Sequence, residues 1–452
     1  MEQNLTQGSV PRTLAIFAWP LVLTNFLQTL FALTDTLIVG RLIGRDAMSA
    51  VTVGGQSTLL LLTFSLGLTA GGQILIAQLK GAGKQEDQDR AAKSLLVLSL
   101  AVGIAAALLG FLLAPLALRL LQTPEEAMEG ALQYMRITSL GLVFAFLYNA
   151  VTGILRGLGD SKRPLLFAAV SAALHLGLSL LFVGALSMGI SGAALATVTA
   201  QAVAALLGVV HLYVQRRKSA PIRRSALHVL VSDHRSPLQI LKIGIPFGLQ
   251  MCLLNLSNIF IIRLVNPYGV AASAALGAGS RVTNVLVVPM LAIGNAASAT
   301  VGQNLGAGEP QRAAKTVRWA LVYTLVFAAV TTPLSLLFPV HFIGMFTDDP
   351  EVLRIGAQYL TILAWCYAGH ALHSGFNAAI LGTGLTLYSL SAAGAEALLG
   401  RIGLTWAFSG FWNLPGIFAA QAIAPYLAAG LSAIYYFTVR WRDSIAVDKS
   451  HP

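Results

Sequence analysis

The sequence is poor in charge. Asp, Glu, Lys and Arg together make up 10% of its 452 residues, against 56% hydrophobic, where a water-soluble domain carries about a quarter charged. That shortage excludes an ordinary globular fold in water. Cysteine is nearly absent too: Cys252 and Cys366 are the two, both inside apolar stretches, which leaves neither a disulfide framework nor a thiolate metal cluster to build on. No HExxH, GxSxG or CxxC pattern occurs, so hydrolase and thiol redox chemistry have no motif and the chain does not read as an enzyme. Gly81-Ala82-Gly83-Lys84 comes nearest to a phosphate loop. A Walker A needs four residues between its glycines and Ser or Thr after the Lys, and this stretch has neither; its glycines fit the end of a helix instead. With no nucleotide site, uphill work would draw on an ion gradient, at about 2.3 kcal/mol per charge per 100 mV. The short polar lead runs into an apolar segment without a small-residue cleavage site, so the first segment is expected to be a retained span.

What the chain has is long apolar runs. Twelve are long enough to cross about 30 Å of hydrocarbon as helices: 14–39, 49–76, 94–119, 132–155, 164–187, 189–213, 238–264, 270–300, 316–340, 357–381, 385–408 and 416–439. The expected fold is an all-α polytopic membrane protein. The net charge of +11 is explained by placement rather than by nucleic acid. With the amino terminus inside, Arg12, Lys80, Lys84, Arg90, Lys93, Arg156, Lys162, Arg163, the cluster Arg216, Arg217, Lys218, Arg223, Arg224, Arg235 and Lys242, then Arg312, Lys315, Arg318, Arg440, Arg442 and Lys449 all fall on the cytoplasmic side. Arg41, Arg45, Arg119, Arg136 and Arg354 fall outside. The positive-inside bias therefore puts both termini in the cytoplasm, in an inner or plasma membrane, with no nucleic-acid partner.

The chain repeats itself at a separation of about 225 residues. Gln78-Leu79-Lys80-Gly81-Ala82-Gly83 precedes Arg90-Ala91-Ala92-Lys93, and Gln303-Asn304-Leu305-Gly306-Ala307-Gly308 precedes Arg312-Ala313-Ala314-Lys315. Gly157-Leu158-Gly159 matches Gly382-Thr383-Gly384, while Pro20 and Pro246 each sit early in the first span of their half and are candidate hinges. Six spans per copy give both copies the same orientation. The expected organisation is two six-helix lobes, 1–214 and 238–452, related by a pseudo-two-fold axis along the membrane normal, with a polar cytoplasmic linker at 215–237. Such repeats belong to transporters, whose substrate sits between halves that rock against each other.

Of the eighteen acidic residues, Asp35 and Glu396 fall inside expected spans. A carboxylate at that depth costs several kcal/mol unless paired, protonated or facing water, which makes it a functional candidate. Asp35 shares a helical face with Thr24, Gln28 and Phe31, and a polar stripe of this kind should point into the bundle. Glu396 has Arg401 five residues on, about 140° around an α-helix and not its ideal partner; a structural pair and a transport role both stay open. So do the roles of Arg263 and Arg281 near span ends. His175, His370 and His373 lie in spans and are titratable near neutral pH. His370 and His373 have metal-compatible spacing but no evident third ligand, and packing is the better reading.

These residues resemble a family, the multidrug and toxic-compound extrusion (MATE) antiporters. The likeness is carried by residues 20–28, by Thr34-Asp35-Thr36-Leu37-Ile38-Val39-Gly40-Arg41, by Gln78 onward to Gly83, by Gly153-Ile154-Leu155-Arg156-Gly157-Leu158-Gly159-Asp160-Ser161 with Pro164, and by Gln303 onward to Gly308. The resemblance implies a V-shaped pair of lobes enclosing a large cavity, and export of amphipathic, often cationic compounds in exchange for Na⁺ or H⁺. Asp35 matches the family's first-helix carboxylate. Where some members carry Asn-x-x-x-Asp in the fifth span this chain has His175 and Ser179, so the second carboxylate is missing, while Thr197 fits a family threonine. The seventh span offers Gln250, Asn255 and Asn258 in place of another branch's Glu. The coupling-cation site is thus expected at Asp35, Asn149, His175, Ser179 and Thr197. Gln28, Gln250, Asn255, Asn258, Glu396 and Arg401 are the candidates for a substrate cavity. No cofactor beyond the coupling ion is implied. The partners are a small-molecule substrate and membrane lipids, with the chain acting as a monomer.

Three other readings fit the residues less well. Flipping of a lipid or lipid-linked sugar is kept alive by Arg263, Arg281 and Arg401. The major facilitator fold also has twelve spans, but its Gly- and Arg-rich signature is not what the loop after the second span shows. An intramembrane enzyme lacks a motif.

Overall fold

A computed structural model describes residues 3–121, 123–219 and 235–443, all of whose regular elements are helical. In chain order they are α1 (Val10–Leu42), α2 (Arg45–Gly81), α3 (Gln85–Leu120), α4 (Glu125–Gly157), α5 (Lys162–Ser179), α6 (Gly189–Ser219), α7 (Arg235–Val265), α8 (Val270–Gly306), α9 (Pro310–Leu337), the short α10 (Pro339–Gly344), α11 (Pro350–Leu363), α12 (Cys366–Thr383), α13 (Thr386–Gly394) and α14 (Thr405–Thr438). A π-helical stretch, Leu180–Ala185, prolongs α5, and another, Ala395–Leu404, joins α13 to α14. Most of the expected linker, 220–234, lies outside the described residues.

Ten stretches among the described residues are long and apolar enough to cross a membrane. The last of them, Thr386–Thr438, contains two expected spans, interrupted at Asn413, whose φ of 50° and ψ of −133° are not helical. The span expected at 357–381 is present as α11 and α12, separated by a break in the helix between Leu363 and Cys366. Each of the twelve expected spans therefore has a helical counterpart.

The helices pack by the logic of a bilayer rather than of water. On α3, Ser99, Gly103, Ala106, Ala107, Gly110 and Ala114 are buried, while Leu108, Leu109, Leu112, Leu113, Leu116 and Leu120 are exposed. Lipid tails are as apolar as leucine, so small residues go inward, where they let backbones approach, and bulky ones face outward. Gly103 is such a position: a Cβ there would lie 3.0 Å from Phe146 Cβ on α4.

The chain divides into two compact units. Unit one holds Leu23–Lys80 and Lys84–Gly248; unit two holds Gln3–Val22, Gly81–Gly83 and Leu249–Pro452. The divisions fall inside α1 and α7, two residues past Pro20 and two past Pro246. In unit one α4 packs between α3 and α6; in unit two α12 packs against α8, α9 and α14.

The repeat is visible inside each unit separately. Gly83 and Gly308 end α2 and α8 with φ of 70° and 75°, and Gly159 and Gly384 follow α4 and α12 with φ of 85° and 81°. Only glycine takes that conformation freely, which is why these positions match between the copies. Helix crossings repeat as well. A Cβ on Gly157 would lie 2.8 Å from the Gln73 carbonyl oxygen of α2, and one on Gly382 would lie 3.0 Å from the Ser298 carbonyl oxygen of α8. Residues 73 and 298 are themselves 225 apart, as are 157 and 382. A backbone carbonyl in a helix cannot step aside. Gly157→Ala and Gly382→Ala are therefore each expected to destabilise their unit by about 1–3 kcal/mol through overpacking, read as a lowered thermal unfolding midpoint in detergent. An unchanged midpoint would mean that these crossings are looser than described.

Candidate functional site

In unit one, three of the expected site residues come together. His175, buried on α5, places Nε2 3.4 Å from Ser179 Oγ one turn on and 3.3 Å from Thr197 Oγ1 of α6. Thr197 spends its one proton on the Ala193 carbonyl, 3.1 Å away. Its lone pairs are then left for an N–H from the ring, so the arrangement suits an imidazole protonated at Nε2. The other side of the ring is covered by Phe31 of α1, stacked at a centroid distance of 3.8 Å with 23° between planes. Phe31 shares the Asp35 face of the first span, and its stack on His175 is a contact that spacing along one helix does not reveal. Aromatic residues one turn from an intramembrane carboxylate are the signal that could have pointed to it.

Asp35 lies in α1, four residues after Phe31; its side chain falls outside the described residues, as do those of 32–37 generally. The Asn149 amide of α4 donates to Ser65 Oγ of α2 at 3.1 Å. Gln28 is exposed on α1 and hydrogen-bonded to Tyr148 of α4.

In unit two the polar residues form a second group. Gln250 Oε1 of α7 accepts from Ser389 Oγ of α13 at 2.7 Å, and both side chains are buried. Two turns along α7, Asn258 Oδ1 accepts from Arg401 Nη1 at 2.7 Å. Arg401 also donates to Glu396 Oε1 from Nε at 3.2 Å and from Nη2 at 2.8 Å. This corrects the expectation that five residues is the wrong spacing for a pair. Glu396 and Arg401 lie in the π-helical stretch Ala395–Leu404, whose i→i+5 bonding stacks residues five apart on one face. The i, i+5 spacing of opposite charges within an apolar run was the available sign.

Asn255 is half-buried on α7. His373 Nδ1 lies 3.1 Å from Ser432 Oγ of α14, a packing contact. Arg263 and Arg281 are exposed. Among the described residues no three His, Cys, Asp or Glu side chains gather to hold a metal ion.

The two halves are also alike to a known family. A family model described as MatE matches residues 20–181 and again residues 246–406. The chain belongs to the MatE family. It is thus one of the MATE multidrug efflux transporters, a transporter rather than an enzyme, and a multi-pass membrane protein. A MatE relative described as the probable multidrug resistance protein YpnP of Bacillus subtilis (strain 168) is 31% identical over 441 residues, 97% of each chain. Another, described as an FAD transporter of Shewanella oneidensis, is 26% identical over 341 residues, 75% of this chain and 74% of that one. A solved structure described as the outward-facing conformation of a multidrug resistance MATE family transporter of the MOP superfamily superposes with a TM-score of 0.89 at 22% identity, covering 96% of both chains. That likeness is one of fold.

Proposed function

We propose that this MATE protein is an antiporter that exports amphipathic, often cationic small molecules in exchange for Na⁺ or H⁺, by alternating access between its two units. In this reading Asp35, Asn149, His175, Ser179 and Thr197 form the coupling-cation site. Gln28, Gln250, Asn255, Asn258 and the Glu396–Arg401 pair line the path of the substrate. Pro20 and Pro246 mark the places where each first helix yields. The chain works as a monomer in the inner or plasma membrane with both termini cytoplasmic.

The observation that carries this reading is the imidazole. A buried imidazole is held by two hydroxyls and stacked on the residue one turn before Asp35. Intramembrane ionisable groups are retained where ions or protons move, because each is costly to bury. The two hydroxyls and the stacked Phe31 ring hold the imidazole in a fixed geometry. His175→Ala, which removes the ring, is expected to slow gradient-driven efflux by about tenfold, the scale of one lost buried hydrogen bond. The reading is tested with a substrate panel in reconstituted liposomes under separately imposed Na⁺ and proton gradients. Efflux that follows one gradient supports antiport and assigns the ion; efflux indifferent to both rejects it.

Lipid flipping is the second reading. The exposed Arg263 and Arg281 favour it, while Arg401, which would serve a phosphate headgroup, is already engaged by Glu396 and Asn258. Translocation of a fluorescent lipid analogue in the same liposomes separates the two.

A further inference from the structure

Residues 3–9, ahead of α1, are fastened to unit two. Arg312, at the start of α9, donates from Nη1 to the Gly8 carbonyl and from Nη2 to the Gln7 carbonyl, both at 2.7 Å. Asn304, buried near the end of α8, donates to the Leu5 carbonyl at 3.3 Å, and the Tyr323 hydroxyl of α9 donates to the Pro11 carbonyl at 3.0 Å. Leu5 is fully buried in a cluster with Leu14, Phe17 and Leu21 of α1 and Ile293 of α8. The lead is shaped for these partners. Asn4 Oδ1 accepts from both the amide and the hydroxyl of Thr6, which turns the chain at Leu5, and Gly8 takes a φ of 75° that favours glycine.

Among the described residues the first copy of the repeat shows a different set of contacts. Arg90 stands where the second copy has Arg312, and it meets Glu86 and Asp87 of its own helix, each at 3.5 Å with the side chains well exposed. Leu79 stands in place of Asn304. A guanidinium reaching two successive carbonyls through two donors holds orientation as well as distance. The second copy thus carries a clamp on the stretch of chain that passes from unit two to unit one inside α1, beyond Pro20.

We propose that Arg312 is a positioning residue of the transport cycle: its clamp keeps the first turns of α1 on unit two throughout the exchange, so that α1 yields at Pro20. The proposal rests on the alternating-access reading above. A proline inside a helix leaves the carbonyl four residues earlier without its backbone donor, and the helix bends there most easily. Bending is concentrated at that point only if the near end is held. With the clamp lost, the first turns shift or fray, and the movement that should act on the segment carrying Asp35 is dissipated.

The test uses the full chain in liposomes, with hydrogen–deuterium exchange on the same preparations. In Arg312→Gln the amides of residues 5–9 are expected to exchange about tenfold faster or more, and the maximal efflux rate to fall about tenfold, while the half-saturating substrate concentration stays within about twofold. Arg312→Lys, which keeps the charge but not the fork, is expected to restore both in part, and Arg90→Gln to change neither. Gly8→Ala attacks the same clamp from the acceptor side and is expected to reproduce Arg312→Gln, which keeps the idea testable if that variant folds poorly. A loosened lead with a wild-type rate, a lead that stays protected in both variants, or a parallel loss of rate, affinity and thermal midpoint would each overturn the proposal. Wild-type protein indifferent to both gradients would instead strike the antiport reading.

Discussion

Asp35→Asn is expected to abolish gradient-driven efflux while leaving substrate binding within about threefold of wild type. Asn has nearly the shape of Asp but neither binds a proton in the relevant range nor carries the charge that a Na⁺ ion needs. Asp35 and Glu396 are the acids within the expected spans, and Glu396 is already neutralised by Arg401 at 2.8 Å. Under the proposed antiport, coupling through a carboxylate would therefore fall on Asp35. A single charge moving with a potential of 100 mV is worth about 2.3 kcal/mol, nearly a fiftyfold concentration ratio, so loss of the coupled charge should remove at least that much accumulation. The measurement is substrate efflux from energised vesicles set beside equilibrium binding to purified protein. Retained gradient-driven export by Asp35→Asn would reject the coupling role outright. Loss of both export and binding would move Asp35 into the substrate path.

Breaking the other intramembrane pair should have a different signature, in stability before transport. Glu396→Gln leaves the Arg401 guanidinium, 17% exposed, with Asn258 and a neutral amide in place of a carboxylate. Removing one partner of a buried pair costs about 3–5 kcal/mol, because the survivor stays charged in a medium that solvates it poorly. The unfolding midpoint in detergent is expected to drop by on the order of 10 °C. Glu396→Gln combined with Arg401→Gln should recover most of that loss, since a neutral polar pair has no stranded charge. Recovery of stability without recovery of export would place the pair in the substrate path as proposed; recovery of both would leave it a fastening between α7 and the π-helical stretch. A Glu396→Gln protein as stable as wild type would show that the pair is hydrated or absent in the membrane.

Much of the candidate site was legible before any coordinates, but unevenly. His175, Ser179 and Thr197 were grouped on the likeness to a family, and the structure brings their side chains together. Asn149 was grouped with them, yet it bonds to Ser65 of α2, because the rotation of α4 about its own axis is a matter of packing that spacing along one helix does not reveal. Phe31 was seen as part of a stripe, not as the lid on an imidazole. The Glu396–Arg401 pair was doubted for a sound reason, the 100° step of an α-helix, that fails only because the helix widens over Ala395–Leu404.

What belonged to the sequence alone was whatever each residue carries with it. Apolar runs long enough for a bilayer, the bias of Lys and Arg, and glycines that end α2, α4, α8 and α12 by taking positive φ act locally, and so can be read one segment at a time. The tertiary structure decided what depends on two segments at once: that both first helices change units just beyond their prolines, that Arg312 holds the amino-terminal lead while Arg90 does not, and which polar side chains meet. In a bilayer the hydrophobic effect does not choose among helix faces. Small-residue crossings and a few hydrogen bonds make that choice, and their partners are distant in the chain.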